Sequence, residues 1–346
     1  MPINRFAALA IGCLLAISGS QPAHAAVGFP DPLPLSPLES RMLADPVAGQ
    51  FQQFTLIEAA LVASGVDRAD DLERYRQRYI EWRDQARQIS EHEQSPGRRS
   101  EALFEFMHGE ILTGGYDPRA TELMRVFDDG TFNCASATVM FTALATDCGL
   151  IVHAVERPRH AMCAMVIDGQ RIDVETTCPN WFQLTAAMRR EAELAAIAHS
   201  RGIGRPTDPR EIRPTELVAV IYYNRGVDLL RENRFAEAVS VNLRALALDA
   251  ENETAHGNLL ASINNWALAQ CAHGDYRAAT DLLAQGLDIA PDHEPFHANR
   301  RHVYRTWIQF LATAGRQLDA LAVLAAARQS EPDSPVWSYW AVRLSR

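Results

Sequence analysis

Gly130-Thr131-Phe132-Asn133-Cys134-Ala135-Ser136-Ala137-Thr138 decides how this chain is read: a glycine turn passes directly into an apolar helical pattern that continues to Cys148-Gly149-Leu150. The thiol of Cys134 falls in the first turn of that helix. There the positive end of the helix dipole and unpaired backbone N–H groups both favour the thiolate. Cys134 is therefore the candidate nucleophile, and the segments on either side are read for what could serve it.

Downstream the periodicity changes from helix to strand. Residues 151–155 are β-rich, Arg157-Pro158-Arg159 interrupts them, and residues 160–167 read as a strand. Asp168-Gly169 is a two-residue hairpin signal, which makes residues 170–177 the partner strand. A helix followed by antiparallel strands predicts an α+β domain. Upstream, residues 51–90 carry two helical apolar stripes, one through Phe54, Ile57 and Leu61 and one through Leu72, Tyr75 and Tyr79. A further helix, residues 101–112, follows the Pro96-Gly97 loop.

A cysteine nucleophile needs a base within hydrogen-bond reach and a third group that orients the base. His160 opens the first hairpin strand. With a two-residue turn at Asp168-Gly169, paired positions sum to 337, so His160 faces Thr177, Met162 faces Glu175 and Ala164 faces Asp173. Glu175 is then the diagonal neighbour of His160, roughly 7–8 Å away along the backbone and within reach of a long side chain. Asp173 is roughly 13 Å from the position opposite His160 at the strand rise. Glu175 is the favoured orienter, and Asp173 takes its place if a bulge shifts the register. The chemistry these groups imply is thiolate attack on an acyl carbonyl, with the oxyanion held by the Cys134 N–H and a second donor that the sequence does not name.

At these positions the chain resembles the transglutaminase-like superfamily of papain-type cysteine enzymes. The resemblance is carried by Asn133-Cys134, Gly149-Leu150-Ile151-Val152, His160-Ala161, Asp168-Gly169 and Val174-Glu175-Thr176-Thr177. It implies a triad of Cys134, His160 and an acid, with acyl transfer or amide hydrolysis as the reaction. Two positions depart from the family pattern. The family's acid is usually aspartate, which an ungapped match places at Glu175 and a shifted one at Asp173. Its protein-crosslinking members carry tryptophan after the cysteine, where Ala135 stands here.

Residues 201–214 hold three prolines and two glycines and mark a linker. Beyond it the chain repeats. Ala238, Ala279 and Ala320 recur at a shift of 41 residues, which also aligns Trp266 with Trp307, Gly274 with Gly315 and Pro291 with Pro332. Each unit reads as two helices that pack closely at a small residue and stop at a proline. Residues 215–346 thus resemble three tetratricopeptide repeats lengthened beyond the usual span of about 34 residues. The expected fold class is an α+β transglutaminase-like or papain-like domain with an N-terminal helical segment (residues 51–200), followed by an all-α repeat domain.

Residues 1–25 combine Arg5, an apolar run and Ala23-His24-Ala25, the pattern of a secretory leader, so the protein is expected to be exported, periplasmic or secreted. Residues 26–50 are proline-rich and read as an extended tether. Without the leader, five of six cysteines stay: Cys134, Cys148, Cys163, Cys178 and Cys271. The odd number leaves at least one thiol unpaired. Cys148, Cys163 and Cys178 read as core thiols, and Trp266 and Trp307 as core aromatics. No cofactor or metal is expected, because Cys163 alternates to the face opposite His160 and no cysteine pair has zinc spacing. A net charge of −10 with no basic run after the leader argues against nucleic acid as a partner. A peptide or protein substrate, and a protein partner bound by the repeats, fit better. Two functions follow: a Cys–His–acid acyl-transfer enzyme, or a catalytically inert scaffold of the same fold.

Overall fold

The structure, a computed structural model, describes residues 29, 31–157, 160–199, 209–332 and 334–345; the leader expected at residues 1–25 lies outside them. Four helices come first among the described residues: α1 (Pro37–Ala44), α2 (Leu56–Ala63), α3 (Ala69–His92) and α4 (Pro96–Phe106), the last continuing into a π-helical turn, Met107–Ile111. A short parallel pair, β1 (Gly115–Tyr116) and β2 (Thr131–Phe132), flanks α5 (Met124–Asp128) and leads into α6 (Cys134–Asp147). Then come β3 (Val152–Arg157), β4 (His160–Ile167), β5 (Gln170–Val174), α7 (Ala186–His199) and β6 (Arg210–Ile212). These strands form an antiparallel sheet in the order β5-β4-β3-β6.

Seven helices complete the chain: α8 (Pro214–Arg231), α9 (Phe235–Leu248), α10 (Glu253–Ala272), α11 (Tyr276–Ile289), α12 (Glu294–Thr313), α13 (Gln317–Ser330) and α14 (Pro335–Leu344). The protein is mostly helical with small sheets. Both bounds of α9, α11 and α13 recur at a shift of 41 residues, as do both bounds of α10 and α12. Ala238, Ala279 and Ala320 are fully buried in α9, α11 and α13. Gly226 of α8 lies against Asn242 of α9, where an added Cβ would meet the Asn242 amide carbon at 3.0 Å. Small residues at these contacts let the paired helices approach closely.

Several sequence expectations change. Residues 26–50 are not simply an extended tether, because they contain α1. Ser36 caps that helix by accepting from Glu39 N–H at 3.0 Å, Pro37 occupies its first turn, and Leu38 and Met42 are buried. Its Glu39 accepts from Tyr222 of α8 at 2.7 Å and pairs with the buried Arg244 of α9 at 3.1 Å. Of the expected linker 201–214, residues 201–208 lie outside the described residues, and Arg210–Ile212 is β6, paired with β3 at the sheet edge. Of the five cysteines, Cys148 and Cys178 are only half-buried, at a helix end and in a loop. Trp266 and Trp307 are likewise half-buried, and Trp307 stacks on Tyr276 with ring centroids 6.0 Å apart.

The core explains the placement of α6. Every residue from Cys134 to Ala145 is buried, the signature of a helix enclosed on all sides. One continuous core runs from Leu38 through α6 and the sheet into α8–α12, and the last helices enclose a separate cluster around Trp337 and Trp340. The sheet and the first helices of the C-terminal array are thus packed as one body around α6.

Candidate active site

Cys134 is the first residue of α6, and the residues before it fix it there. Gly130, at φ +72°, turns the chain where an added Cβ would meet Thr113 Oγ1 at 2.7 Å and Gly114 N at 2.8 Å, so only glycine fits. Asn133 caps the helix. Its Oδ1 accepts from the N–H groups of Ala135 (2.9 Å) and Ser136 (3.1 Å), while Ser136 Oγ accepts from Asn133 N–H at 3.0 Å. This reciprocal cap takes the second and third N–H groups of the helix and leaves that of Cys134 outside it. Asn133 Nδ2 donates to Thr121 Oγ1 at 3.0 Å, which anchors the cap to the preceding loop.

His160 opens β4, paired with Arg157 of β3. Ala164 lies opposite Asp173 and Met165 opposite Ile172, the register that a two-residue turn dictates. The turn residues Asp168 and Gly169 both have positive φ, at 50° and 76°, as such a turn requires. The strand β5 ends at Val174, three residues short of the expected end. The physical reason is that side chains capture the backbone after it. Thr176 Oγ1 lies 3.0 Å from Thr138 Oγ1, one turn along α6 from Cys134, and His108 Nε2 donates to the Thr176 carbonyl at 3.1 Å. Burial pushes the His108 ring down to about 4, so it is neutral and donates through the Nε2 tautomer.

Leaving the ladder turns Glu175 inward. Its Oε2 accepts from His160 Nε2 at 2.6 Å, and its Oε1 accepts from the N–H (3.1 Å) and hydroxyl (2.6 Å) of Thr177. Both oxygens are satisfied at a residue that is 1 % exposed, which makes a buried carboxylate tenable. His160 is 4 % exposed and Cys134 8 %. Burial works against a charged imidazole, but the nearby Cys134 sulfur and the Glu175 carboxylate outweigh it, and His160 is raised to about 10. With Nε2 committed to Glu175, Nδ1 is the nitrogen left for the sulfur. It is buried and completes no hydrogen bond of normal geometry, although the thiol lies close enough to favour the protonated ring.

The structure therefore brings Cys134, His160 and Glu175 together and leaves Asp173 outside. Asp173 is half-buried and paired with Arg157 at 3.0 Å and Arg171 at 3.2 Å, while its carbonyl accepts from Trp181 Nε1 at 3.1 Å. Comparisons with protein-family models, with curated proteins and with solved structures return no match.

Cys134 and His160 line a cleft whose far wall is α8. Val220, Tyr223, Asn224, Val227, Asp228 and Arg231 form that wall, and their spacing places them on one face of the helix. Tyr223 donates to Glu156 Oε1 at 2.8 Å; Arg210 Nε donates to Glu156 Oε2 at 2.8 Å and the same guanidinium pairs with Asp249. Glu156 pairs across the strands with Ala161, the neighbour of His160, so this network locks α8 beside the histidine.

The sequence places Thr177 opposite His160 without giving it a role, and it does not single out Tyr223 or Asn224. The Asn133-to-Ser136 spacing could have shown the cap. The wall from α8 had no such signal, because it meets the site only through tertiary packing. Among the described residues no group of three His, Cys, Asp or Glu side chains is arranged to hold a metal ion. None of the described helices is long and apolar enough to cross a membrane.

Proposed function

We propose that this chain is an exported cysteine enzyme that transfers acyl groups from peptide or protein amides, with Cys134 as nucleophile, His160 as base and acid, and Glu175 as orienter. One observation carries the reading: a buried imidazole held by a fully satisfied carboxylate at 2.6 Å, sharing a cleft with a thiol at a helix N-terminus. In this arrangement the thiolate attacks the carbonyl carbon, and the C–S bond forms as the C=O electrons move to oxygen. When the oxyanion collapses, the C–N bond breaks and the leaving amine takes the His160 proton. Water or an amine then attacks the thioester, gives its proton back to His160 and releases Cys134.

In the same reading residues 51–200 form a transglutaminase-like domain and residues 215–346 tetratricopeptide-like repeats that bind a protein substrate or partner. The sequence resemblance, the helix-then-hairpin order around the site and the 41-residue recurrence of the C-terminal helices support it.

The test is thiol alkylation by iodoacetamide near neutral pH, with the site of modification mapped by peptide mass. Burial pushes the thiols of Cys148, Cys178 and Cys271 up, and that of Cys163 to about 12, which slows all four. Cys134 should react first, and Cys134→Ala should remove the fast phase. A fast phase that survives Cys134→Ala overturns the assignment.

A further inference from the structure

Resting on that reading, we infer that Asn224, on the first helix of the C-terminal array, is the second oxyanion donor of the site. The candidates are the polar side chains of the cleft. Asn133 is committed to its cap and to Thr121, and the Tyr223 hydroxyl donates to Glu156 at 2.8 Å. Thr121 Oγ1 accepts from Asn133, Tyr116 and Arg231 have interactions of their own, and Asp228 carries no donor and is paired with Arg231 at 2.9 Å. Asn224 and Thr254 are the cleft side chains whose polar groups make no hydrogen bond among the described residues.

Placement separates these two. Asn224 follows Tyr223, whose hydroxyl is tied to the strand paired with that of His160 and whose carbonyl accepts from Asn258 Nδ2 at 3.5 Å. The backbone that carries Asn224 is thereby held against the catalytic strand. Asn224 is half-buried, on the face of α8 that lines the cleft shared with Cys134. A side-chain amide offers two N–H donors and no charge, which suits an oxygen that becomes anionic only during reaction. With the Cys134 N–H left outside the helix cap, the site has one donor from α6 and one from α8. The array is then part of the catalytic machinery and not a separable binding module.

The inference separates two reactions of the same sulfur. Alkylation by iodoacetamide displaces iodide at a saturated carbon and passes through no oxyanion. Acylation by p-nitrophenyl acetate forms a C–S bond at a carbonyl, places the π electrons on oxygen and expels p-nitrophenolate as they return. In the full-length chain, Asn224→Ala should slow acylation by about 10²-fold while changing alkylation of Cys134 by less than about threefold. Asn224→Asp keeps the volume, loses the donors and should be at least as slow in acylation. Thr254→Val should leave the ratio of the two rates unchanged. Equal acylation in Asn224→Ala and the unmodified chain, or a loss in Thr254→Val instead, overturns the inference and leaves the triad standing. Failure of the unmodified chain to acylate at Cys134 overturns both.

Discussion

Glu175 lies one residue beyond Val174, the last paired residue of β5, and its carboxylate still reaches His160 Nε2 at 2.6 Å. Because the chain leaves the ladder there, the carboxylate meets the imidazole edge inside the protein, where solvent does not screen the pair.

The pH behaviour of His160 follows from this contact. The ring is raised from its ordinary 6.5 to about 10, so the folded state binds the proton more tightly than the unfolded chain. Its contribution to stability is complete below about 6.5 and is lost as pH rises through about 10. An NMR titration of the His160 ring should show no deprotonation between pH 6 and 8, and Glu175→Gln should lower the midpoint by about one to three units. A midpoint near 6.5 in the unmodified protein would refute the buried ion pair.

The two acids on the hairpin should separate cleanly. Asp173→Asn breaks partly exposed ion pairs with Arg157 and Arg171 and should cost about 1 kcal/mol or less of stability. It should leave acylation of Cys134 close to the unmodified rate. Glu175→Gln should slow it by about 10²-fold or more. The reverse order of effects would return the triad role to Asp173.

Asn133→Ala tests whether the helix cap serves the thiol. The change removes the acceptor for the Ala135 and Ser136 N–H groups and the donor to Thr121. It should lower stability by about 1–2 kcal/mol in chemical denaturation. Alkylation of Cys134 should slow as well, since fraying of the first turn weakens the local field at the sulfur. Full reactivity in a destabilised variant would show that the imidazolium alone activates the thiol.

How far the sequence reveals this arrangement depends on the range of each interaction. The hairpin register was legible because Asp168-Gly169 fixes a two-residue turn and parity does the rest. The 41-residue recurrence was legible because each unit repeats the same local helix-stop pattern. The end of β5 at Val174 was not, since it depends on Thr138 and His108 drawing Thr176 away from the sheet. Nor was the wall of α8, whose Tyr223 meets Glu156 across 67 positions of chain. A proline-rich composition suggested a tether at residues 26–50, and composition cannot register that Glu39 has a partner 205 positions away in Arg244.

That distant pair yields the last prediction. Arg244 is 3 % exposed, and its guanidinium is held by Glu39 at 3.1 and 3.3 Å, by Asp31 at 3.4 Å and by the Leu33 carbonyl, with Tyr222 donating to the same Glu39 oxygen at 2.7 Å. Removing the carboxylate leaves a buried cation short of its main counter-charge, a change that costs about 3–5 kcal/mol. Glu39→Ala should therefore destabilise the fold by that amount, and Glu39→Gln, which keeps one acceptor oxygen for Tyr222 and Arg244 without the charge, by less. Because α8 and α9 carry this contact and α8 also walls the cleft, Glu39→Ala should slow acylation of Cys134 even where the protein remains folded. A loss of stability below about 1 kcal/mol would place the segment before residue 50 outside the cooperative core.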